Sequence, residues 1–282
     1  MIHKTIELPV QYRSRGIENN DFTPRLSTYF PENSEELDSK RKHPLVLICP
    51  GGGYAMKAFR EAEPVALKLN ALGFHTCVLD YSVAPMDFPA AFLDLCEAMH
   101  YVRSHAEESH IAAEDITVAG FSAGGHLAAS LGVWWNSGLA QQYLPYAAQE
   151  LKPNRLLLCY PVISSGKYRH DGSIANVLGP RHDTAENREF VSLEKQVTKD
   201  VPPAFIWHTF EDEVVPIQNT LLFASALAEH GVSFEYHVFT KGCHGLSLAS
   251  PITATADGGM VQEECTPWPE LFARWCKTAA AT

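Results

Sequence analysis

Residues 120–124 read Gly-Phe-Ser-Ala-Gly, which places a glycine two positions away on each side of a serine. This pattern is typical of a nucleophile elbow, a strained strand-to-helix turn that exposes a serine hydroxyl. The surroundings agree, because residues 116–119 predict a short strand and the alanine- and leucine-rich residues 123–135 predict a helix. Larger side chains at the two glycine positions would clash in so tight a turn. We therefore predict that Ser122 is a nucleophile.

A second unusual sequence, Pro-Gly-Gly-Gly-Tyr at residues 50–54, directly follows a strand-like apolar run at residues 45–49. It lacks the Gly-Lys-Ser/Thr of a Walker A loop and the last glycine of the dinucleotide fingerprint. It matches an oxyanion loop of the HGGG type, with Pro50 in the place of the histidine. We expect the N–H groups of Gly52 and Gly53, together with that of Ala123, to form an oxyanion hole.

A serine nucleophile needs a general base, and the base needs a carboxylate that orients it. Asp212 lies 90 residues after Ser122 and follows a strand-like run at residues 204–208. His244 lies 32 residues further along and follows another such run at residues 234–239. The order Ser, Asp, His is that of α/β-hydrolases. We predict Asp212 and His244 as the partners of Ser122.

Neighbouring residues offer alternatives to these assignments. Glu211 and Glu213 flank the preferred aspartate and could orient the base instead. Cys243 precedes the histidine, but a thiol nucleophile is disfavoured because the serine already occupies the specialised turn. Tyr54 and Leu246 flank the catalytic loops and are predicted to contact substrate, although both could equally belong to the core. Neither an H-E-x-x-H nor a paired C-x-x-C motif occurs, so we predict no metal site.

Strand-like and helical segments alternate along the chain, which predicts an α/β fold with a doubly wound, mostly parallel sheet and helices on both faces. Residues 88–102 predict one of these helices, with Asp87 as its N-cap. We treat residues 1–282 as one domain, with insertions at about 136–153 and 164–200 over the active-site end. The second insertion joins consecutive strands on the side where open α/β sheets bind ligands, which favours a lid.

The composition is that of a globular protein, since 46% of the 282 residues are hydrophobic and 20% are charged. The net charge of −11 and the absence of a Lys/Arg-rich run argue against nucleic acid or an anionic membrane as a partner. No apolar stretch approaches the roughly 18 residues of a membrane helix, and the N-terminus lacks an apolar signal segment. Seven cysteines, several within apolar runs, indicate reduced thiols and a cytoplasmic protein.

Together these residues resemble the α/β-hydrolase esterase and lipase superfamily, and within it the small bacterial acetyl esterases of the xylan-acetyl-esterase-like type. The resemblance spans about residues 44–250 and is carried by the following motifs and residues: Pro-Gly-Gly-Gly-Tyr at 50–54, Asp-Tyr-Ser-Val-Ala-Pro at 80–85, Gly-Phe-Ser-Ala-Gly-Gly-His at 120–126, residues 191–195, residues 202–208, Asp212 and His244. The first 43 residues lie outside it and are expected to add edge strands.

The resemblance implies a serine carboxylesterase in which Ser122 attacks, His244 transfers the proton and Asp212 orients the histidine, through an acyl-enzyme. It implies a small-molecule ester as partner, short-chain and foremost acetyl, with acetylated sugars or xylo-oligosaccharides as candidates, and no cofactor. An amide-cleaving hydrolase such as a peptidase or formamidase remains an alternative. A non-catalytic binding module is a further alternative, although such modules usually lack a triad member. A homodimer is also left open.

Overall fold

A computed structural model describes residues 1–10, 12, 17 and 21–279 of the chain. Its strands in these residues are β1 (Ile2–Glu7), β2 (Arg25–Phe30), β3 (His43–Cys49), β4 (His75–Asp80), β5 (Ile111–Phe121), β6 (Arg155–Cys159), β7 (Ala204–Thr209) and β8 (Phe234–Phe239). They form one sheet in the order β1-β2-β4-β3-β5-β6-β7-β8. Strands β3 to β8 are parallel to their neighbours among themselves, whereas β2 is antiparallel to both β1 and β4. The predicted mostly parallel sheet is confirmed, as is the prediction that the first 43 residues add strands at its edge.

Helices cover both faces of this sheet. They are α1 (Glu63–Ala71), α2 (Ala90–Ser104), α3 (Ala123–Trp134), α4 (Ala148–Leu151), α5 (Asp171–His182), α6 (Ala185–Phe190), α7 (Gln218–Glu229) and α8 (Trp268–Ala279). Side chains of α2, α3 and α7 belong to one buried apolar cluster, and those of α1 and α8 belong to a second. The two clusters lie on opposite faces, which is the layering of a doubly wound fold.

Strand β3 illustrates why these segments are continuous apolar runs. Leu45 and Leu47 pack into the first cluster, whereas Val46 and Ile48 pack into the second. Because successive side chains of a strand point to opposite faces, a strand covered on both sides needs apolar residues at every position. All four side chains are completely buried.

The predicted start of the second helix is wrong. Helix α2 begins at Ala90, and Asp87 does not cap it. Phe88 precedes Pro89, and a residue before proline is disfavoured in the helical region. The Phe88 N–H instead donates to the carbonyl of Val177, and the Asp87 carboxylate lies 3.2 Å from His182 Nδ1. Asp87 therefore ties the start of α2 to the end of α5.

Residues 136–153 lie at the amino end of β6, away from Ser122, so the prediction that both insertions cover the active-site end is wrong for these residues. Helix α3 returns the chain from the carboxyl end of β5 to the amino end of β6, and that insertion follows α3. At this end the Arg103 guanidinium donates to the carbonyl of Lys152, and the N–H of Ile116 donates to Asn154. Residues 164–200 begin at the carboxyl end of β6, on the side that carries Ser122, and return toward the amino end of β7, where Asp200 accepts bonds from Trp135 and Asn136.

Candidate active site

Ser122 lies in the tight turn between β5 and α3, with φ 51° and ψ −121°. A Cβ atom at Gly120 would collide with the carbonyl oxygen of Gly124, and one at Gly124 would collide with that of Cys49. The predicted need for glycine on both sides of the serine therefore has a direct steric cause. The left-handed conformation of a non-glycine residue is a strained feature that is often found at functional sites.

The three predicted triad residues lie together. The Ser122 hydroxyl donates to His244 Nε2 at 2.7 Å, and His244 Nδ1 donates to Asp212 Oδ2 at 2.6 Å. Ser122 and Asp212 are buried, while the His244 side chain keeps 14% of its surface exposed. Both alternative acids, Glu211 and Glu213, are exposed to solvent. The geometry therefore selects Asp212 as the carboxylate at His244.

Asp212 is held as a carboxylate by a dense set of donors. Its Oδ1 accepts the N–H groups of Val214 and Val215 at 3.0 and 2.9 Å, and its Oδ2 also accepts from His208 Nε2 at 3.2 Å. Burial by itself would raise the pKa of Asp212, but the hydrogen bonds from His208 and His244 hold this pKa well below its usual range. A negative charge is thus maintained where it can stabilise an imidazolium at His244.

The thiol alternative finds no support in the geometry. Cys243 is exposed, and its Sγ lies 3.5 Å from the Sδ of Met260. His244, the residue next to it, has both ring nitrogens engaged by Asp212 and Ser122. A histidine paired in this way orients toward the serine and leaves the cysteine without a base.

The glycine loop follows β3 and lies beside the serine. The tyrosine hydroxyl of Tyr81 donates to the carbonyl of Pro50 at 2.6 Å, and Asn176 Nδ2 donates to the carbonyl of Gly53 at 2.8 Å. Gly52 and Gly53 have φ values of 127° and 66°, which favour glycine. Among the described residues, no acceptor is assigned to the N–H groups of these two glycines.

The N–H of Ala123 completes the set predicted for the oxyanion hole. Ala123 is the first residue of α3, and the first N–H groups of a helix have no partner within it. The glycine loop lies close to Ser122, since an ideal Cβ at Gly51 would be 2.9 Å from the Cβ of Ser122. Such fixed, unpaired donors are suited to a developing negative charge.

The predicted substrate contacts Tyr54 and Leu246 lie elsewhere, and this assignment is corrected. Both side chains are buried, at 3% and 2% exposure, and each belongs to one of the two apolar clusters. The Tyr54 hydroxyl donates to His126 Nδ1 at 3.0 Å, and His126 Nε2 donates to the carbonyl of Val191 at 2.9 Å. Tyr54 therefore connects the glycine loop, through His126, to the insertion at residues 164–200. Leu246 packs in the second apolar cluster.

That insertion stands directly against the glycine loop. His170, the N-cap of α5, accepts the N–H of Ser173 through Nδ1. An ideal Cβ at Gly53 would be 3.9 Å from Ser173 Oγ and 4.0 Å from His170 Cε1. Together with the bond from Asn176 to Gly53, these contacts make α5 a wall of the site. The role of this insertion as a lid stays a prediction.

An open cleft of about 610 Å³ lies on the outer side of His244. It is lined by Phe210, Glu211, Asp212, Glu213, Val214, Gly242, Cys243 and His244. Phe210 and Val214 expose 65% and 50% of their surfaces. The cleft thus offers an aromatic surface next to carboxylates that can accept hydrogen bonds.

Sequence reasoning missed several residues that shape the site. His208 was assigned only to a strand, yet it contacts Asp212. Glu61 and Tyr160 were not singled out, although the Tyr160 ring lies edge-on to His244 with the centroids 5.2 Å apart. The available signal was the position of Tyr160, which directly follows a buried strand and lies close in sequence to the insertion. Glu61 offered none, because a glutamate before a helix is ordinarily a solvated residue.

No cluster of three or more His, Cys, Asp or Glu side chains arranged to hold a metal ion occurs in residues 1–10, 12, 17 and 21–279. Over the same part of the chain, none of the helices combines the length and apolar character needed to cross a bilayer.

Comparison with known proteins adds independent information. Residues 27–227 match the protein family described as BD-FAE, which is more than half of the chain. The chain is 36% identical over 233 residues to endo-1,4-beta-xylanase B of Butyrivibrio fibrisolvens, and 29% identical over 237 residues to an acetylxylan esterase of Xylanibacter ruminicola. These matches cover 81% and 82% of this chain but 35% and 45% of those proteins. The chain therefore spans between a third and a half of the length of these curated relatives.

The similarity to solved structures extends over whole chains. The crystal structure of an acetyl ester-xyloside bifunctional hydrolase from Caldicellulosiruptor lactoaceticus is 35% identical, with a TM-score of 0.85, and the match covers 98% of this chain and 96% of that one. The predicted fold class is thereby confirmed. From the extent of the family match and this likeness over nearly all of both chains, we conclude that the chain belongs to the BD-FAE family, of α/β-hydrolase type.

Proposed function

We propose that this protein is a serine carboxylesterase that removes short acyl groups, foremost acetyl, from acetylated sugars or xylo-oligosaccharides. The observation that carries the proposal is the hydrogen-bonded series from Ser122 through His244 to Asp212, with distances of 2.7 and 2.6 Å. A serine, an imidazole and a buried carboxylate joined in this way form the arrangement that activates a hydroxyl for attack on an acyl carbon.

In the proposed mechanism, Ser122 Oγ attacks the ester carbonyl while His244 Nε2 takes its proton. The negative oxygen of the tetrahedral intermediate accepts hydrogen bonds from Gly52, Gly53 and Ala123. The imidazolium, stabilised by Asp212, then gives its proton to the leaving alcohol, and an acyl-enzyme remains. Water then attacks the acyl carbon while His244 Nε2 takes one of its protons. His244 returns this proton to Ser122 Oγ as the acid leaves, which restores the serine.

The surroundings of the serine favour a small acyl group. Helix α5 stands against the glycine loop, with His170 and Ser173 about 4 Å from the position of a Cβ on Gly53. We expect these two side chains to limit the length of an acyl chain bound beside that loop. On the other side, Phe210, Glu211 and Glu213 line an open cleft. An aromatic surface beside carboxylates suits a neutral alcohol with several hydroxyl groups, because the carboxylates can accept hydrogen bonds from those hydroxyls.

Names of the relatives point in the same direction. One curated relative is called an acetylxylan esterase, and the similar solved structure is described as an acetyl ester-xyloside bifunctional hydrolase. Another relative is called a xylanase, but the match covers only about a third of that protein. The acetyl-ester chemistry is therefore the part of these names that the present site supports.

The test is a set of initial rates on p-nitrophenyl acetate, butyrate and octanoate, followed by acetate release from acetylated xylo-oligosaccharides. We expect the highest rate on acetate. In Ser122→Ala, we expect a loss of about 10³-fold or more, because the triad residues act as a unit. The folded state of the variant is checked by circular dichroism.

Other outcomes have definite meanings. Ester rates that persist in Ser122→Ala would overturn the assignment of the nucleophile. Ser122-dependent turnover of p-nitroanilides without turnover of esters would favour an amide-cleaving hydrolase. If neither class of substrate is turned over in a Ser122-dependent way, a non-catalytic binding module becomes the better description.

A further inference from the structure

A second buried acid lies behind the site and takes no part in the mechanism described above. Glu61 is only 2% exposed, and no Lys or Arg among the described residues forms an ion pair with it. Burial raises the pKa of Glu61. The hydrogen bonds from Tyr160 and Gly51 oppose this rise, and the nearby Arg60 guanidinium also lowers the pKa. A buried carboxyl that no ion pair compensates is costly to the fold and depends on its hydrogen bonds.

The two carboxylate oxygens of Glu61 bind two different loops. Its Oε2 accepts the N–H of Gly51 at 2.8 Å, and its Oε1 accepts the hydroxyl of Tyr160 at 2.8 Å. Gly51 is the residue directly before Gly52 and Gly53, whose N–H groups are assigned to the oxyanion hole. One oxygen of Glu61 thus holds the base of the oxyanion loop.

The other oxygen acts on the loop that carries the histidine. The hydroxyl of Tyr160 donates to Glu61 and accepts the N–H of Ser247 at 2.8 Å. Ser247 lies three residues after His244 and has a φ of 55°. The Tyr160 ring also packs edge-on against the imidazole of His244. The histidine loop is therefore held from behind by Tyr160, which is itself held by Glu61.

Two glycines lie close to Glu61 and to its neighbour Arg60. A Cβ at Gly51 would be 2.6 Å from Glu61 Oε2, and a Cβ at Gly245 would be 3.1 Å from the guanidinium of Arg60. Close backbone approach at both glycines brings the carboxylate within reach of both loops. The Ser247 hydroxyl adds a further bond, to the carbonyl of Arg60 at 2.5 Å.

We propose that Glu61 is a positioning residue, whose carboxylate fixes the oxyanion loop and the His244 loop relative to each other so that both face the same carbonyl carbon. The inference rests on the proposed function, in which those two loops must act on one substrate atom. Their separate misplacement by about 1 Å is enough to cost a large factor in rate.

The decisive variant is Glu61→Gln. A glutamine keeps the side-chain size but offers one acceptor oxygen, so the N–H of Gly51 and the O–H of Tyr160 can no longer both donate to this side chain. We expect kcat on p-nitrophenyl acetate to fall by about 10- to 100-fold with KM nearly unchanged. The reason is that the N–H groups of the oxyanion loop and His244 act on the transition state more than on the bound substrate. A purely structural role would not separate kcat from KM in this way.

The chain offers a matched control in Asp94. This carboxylate is also fully buried and also accepts one backbone N–H, that of Ser82 at 2.7 Å, and one tyrosine hydroxyl, that of Tyr12. We expect Asp94→Asn to leave kcat close to that of the parent protein at a temperature where both are folded. If Asp94→Asn lowers kcat as much as Glu61→Gln, or if Glu61→Gln has the parental kcat, the proposal is overturned.

Tyr160→Phe provides a second variant should Glu61→Gln fail to fold. It keeps the bond from Gly51 to Glu61 and removes the hydroxyl that joins Glu61 to the N–H of Ser247. We expect a smaller fall in kcat, of about tenfold, at nearly unchanged KM. An unchanged kcat would contradict the proposed connection to the histidine loop.

A second readout separates this inference from the proposed function. A fluorophosphonate reacts with an activated serine by forming an O–P bond as fluoride leaves, and His244 takes the serine proton. We expect the parent protein to be labelled at Ser122 and Glu61→Gln to be labelled about 10- to 100-fold more slowly. A labelled protein that hydrolyses no ester would contradict the ester substrate, whereas equal labelling rates would contradict the role of Glu61.

Discussion

Asp212 and Asp94 are both buried aspartates, at 5% and 0% exposure, yet their surroundings act on them in opposite directions. Asp94 lies in α2, where burial raises its pKa to about 6 against the lowering effect of its bonds from Ser82 and Tyr12. At Asp212 the effect of burial is outweighed by the hydrogen bonds from His208 and His244, and the pKa falls. Two largely buried aspartates thus differ in charge: the pKa of Asp94 is raised toward neutrality, whereas that of Asp212 is lowered and keeps it an anion.

The difference lies in the donors that each fold region supplies. The loop after β7 turns back so that two successive N–H groups, those of Val214 and Val215, point at Asp212. Two imidazoles complete the set. The region around Asp94 provides a single backbone N–H and two hydroxyl-bearing side chains. Charged carboxylates at functional sites are therefore recognised by the number of donors around them rather than by burial alone.

The largest loss of activity is expected when the charge of Asp212 is removed. In Asp212→Asn the amide cannot hold His244 in the orientation that accepts the serine proton, and it carries no charge for the imidazolium. We expect kcat on p-nitrophenyl acetate to fall by about 10³- to 10⁴-fold with the fold retained. Initial rates and circular dichroism measure this. A loss of that size in Glu213→Gln instead would move the role to Glu213.

An intermediate effect is expected when one donor to Asp212 is removed. In His208→Gln the bond from His208 Nε2 is lost or lengthened, while the bonds from Val214, Val215 and His244 remain. A hydrogen bond to a charged group contributes about 1.5–3 kcal/mol, of which a part is replaced by the amide, so we expect kcat to fall by about tenfold. A kcat equal to that of the parent would show that the remaining donors suffice to orient Asp212.

The smallest effect on activity and a distinct effect on stability are expected at Asp94. Its pKa is about 6 in the folded protein against 3.8 for an ordinary aspartate. The folded state therefore binds the proton more tightly than the unfolded state, which adds to the free energy of unfolding. This added stability is fully present below about pH 4 and is lost as the pH rises through 6. The full loss amounts to about 3 kcal/mol.

Asp94→Asn removes this titration, so its free energy of unfolding should fall less than that of the parent protein between about pH 4 and pH 7. Urea unfolding at several pH values measures the difference. A constant difference between the two proteins over this range would contradict the raised pKa. Activity of the variant at pH 7 serves as the control that the active-site region is intact.

Much of the site could be predicted from short stretches of sequence. The elbow around Ser122 depends on sterics between residues two positions apart, so the glycines at 120 and 124 reveal it directly. The strands on both sides of it are visible because a doubly covered strand must be apolar throughout. The start of α2 was missed because a local rule, the position before Pro89, outweighed the apolar spacing.

Other features depend on contacts that no local pattern encodes. Glu61 and Tyr160 are 99 positions apart, and His244 lies 122 positions from Ser122. The place of residues 136–153 followed from the direction in which α3 returns the chain, which is a property of the whole sheet. Tyr54 and Leu246 lie next to catalytic residues in sequence, but the turns that carry them direct both side chains into the core.

Local sequence was enough to predict the turn that carries Ser122, the order of its predicted partners and the alternation of strands and helices, because each of these depends on the types and spacing of nearby residues. The contact of Asp212, rather than Glu211 or Glu213, with His244 and the place of Glu61 behind both loops became visible in the folded chain alone. The physical reason is that the free energy of a buried charge depends on all the donors around it. Those donors come from β7, from Tyr160 directly after β6 and from separate loops, which the folded sheet brings together.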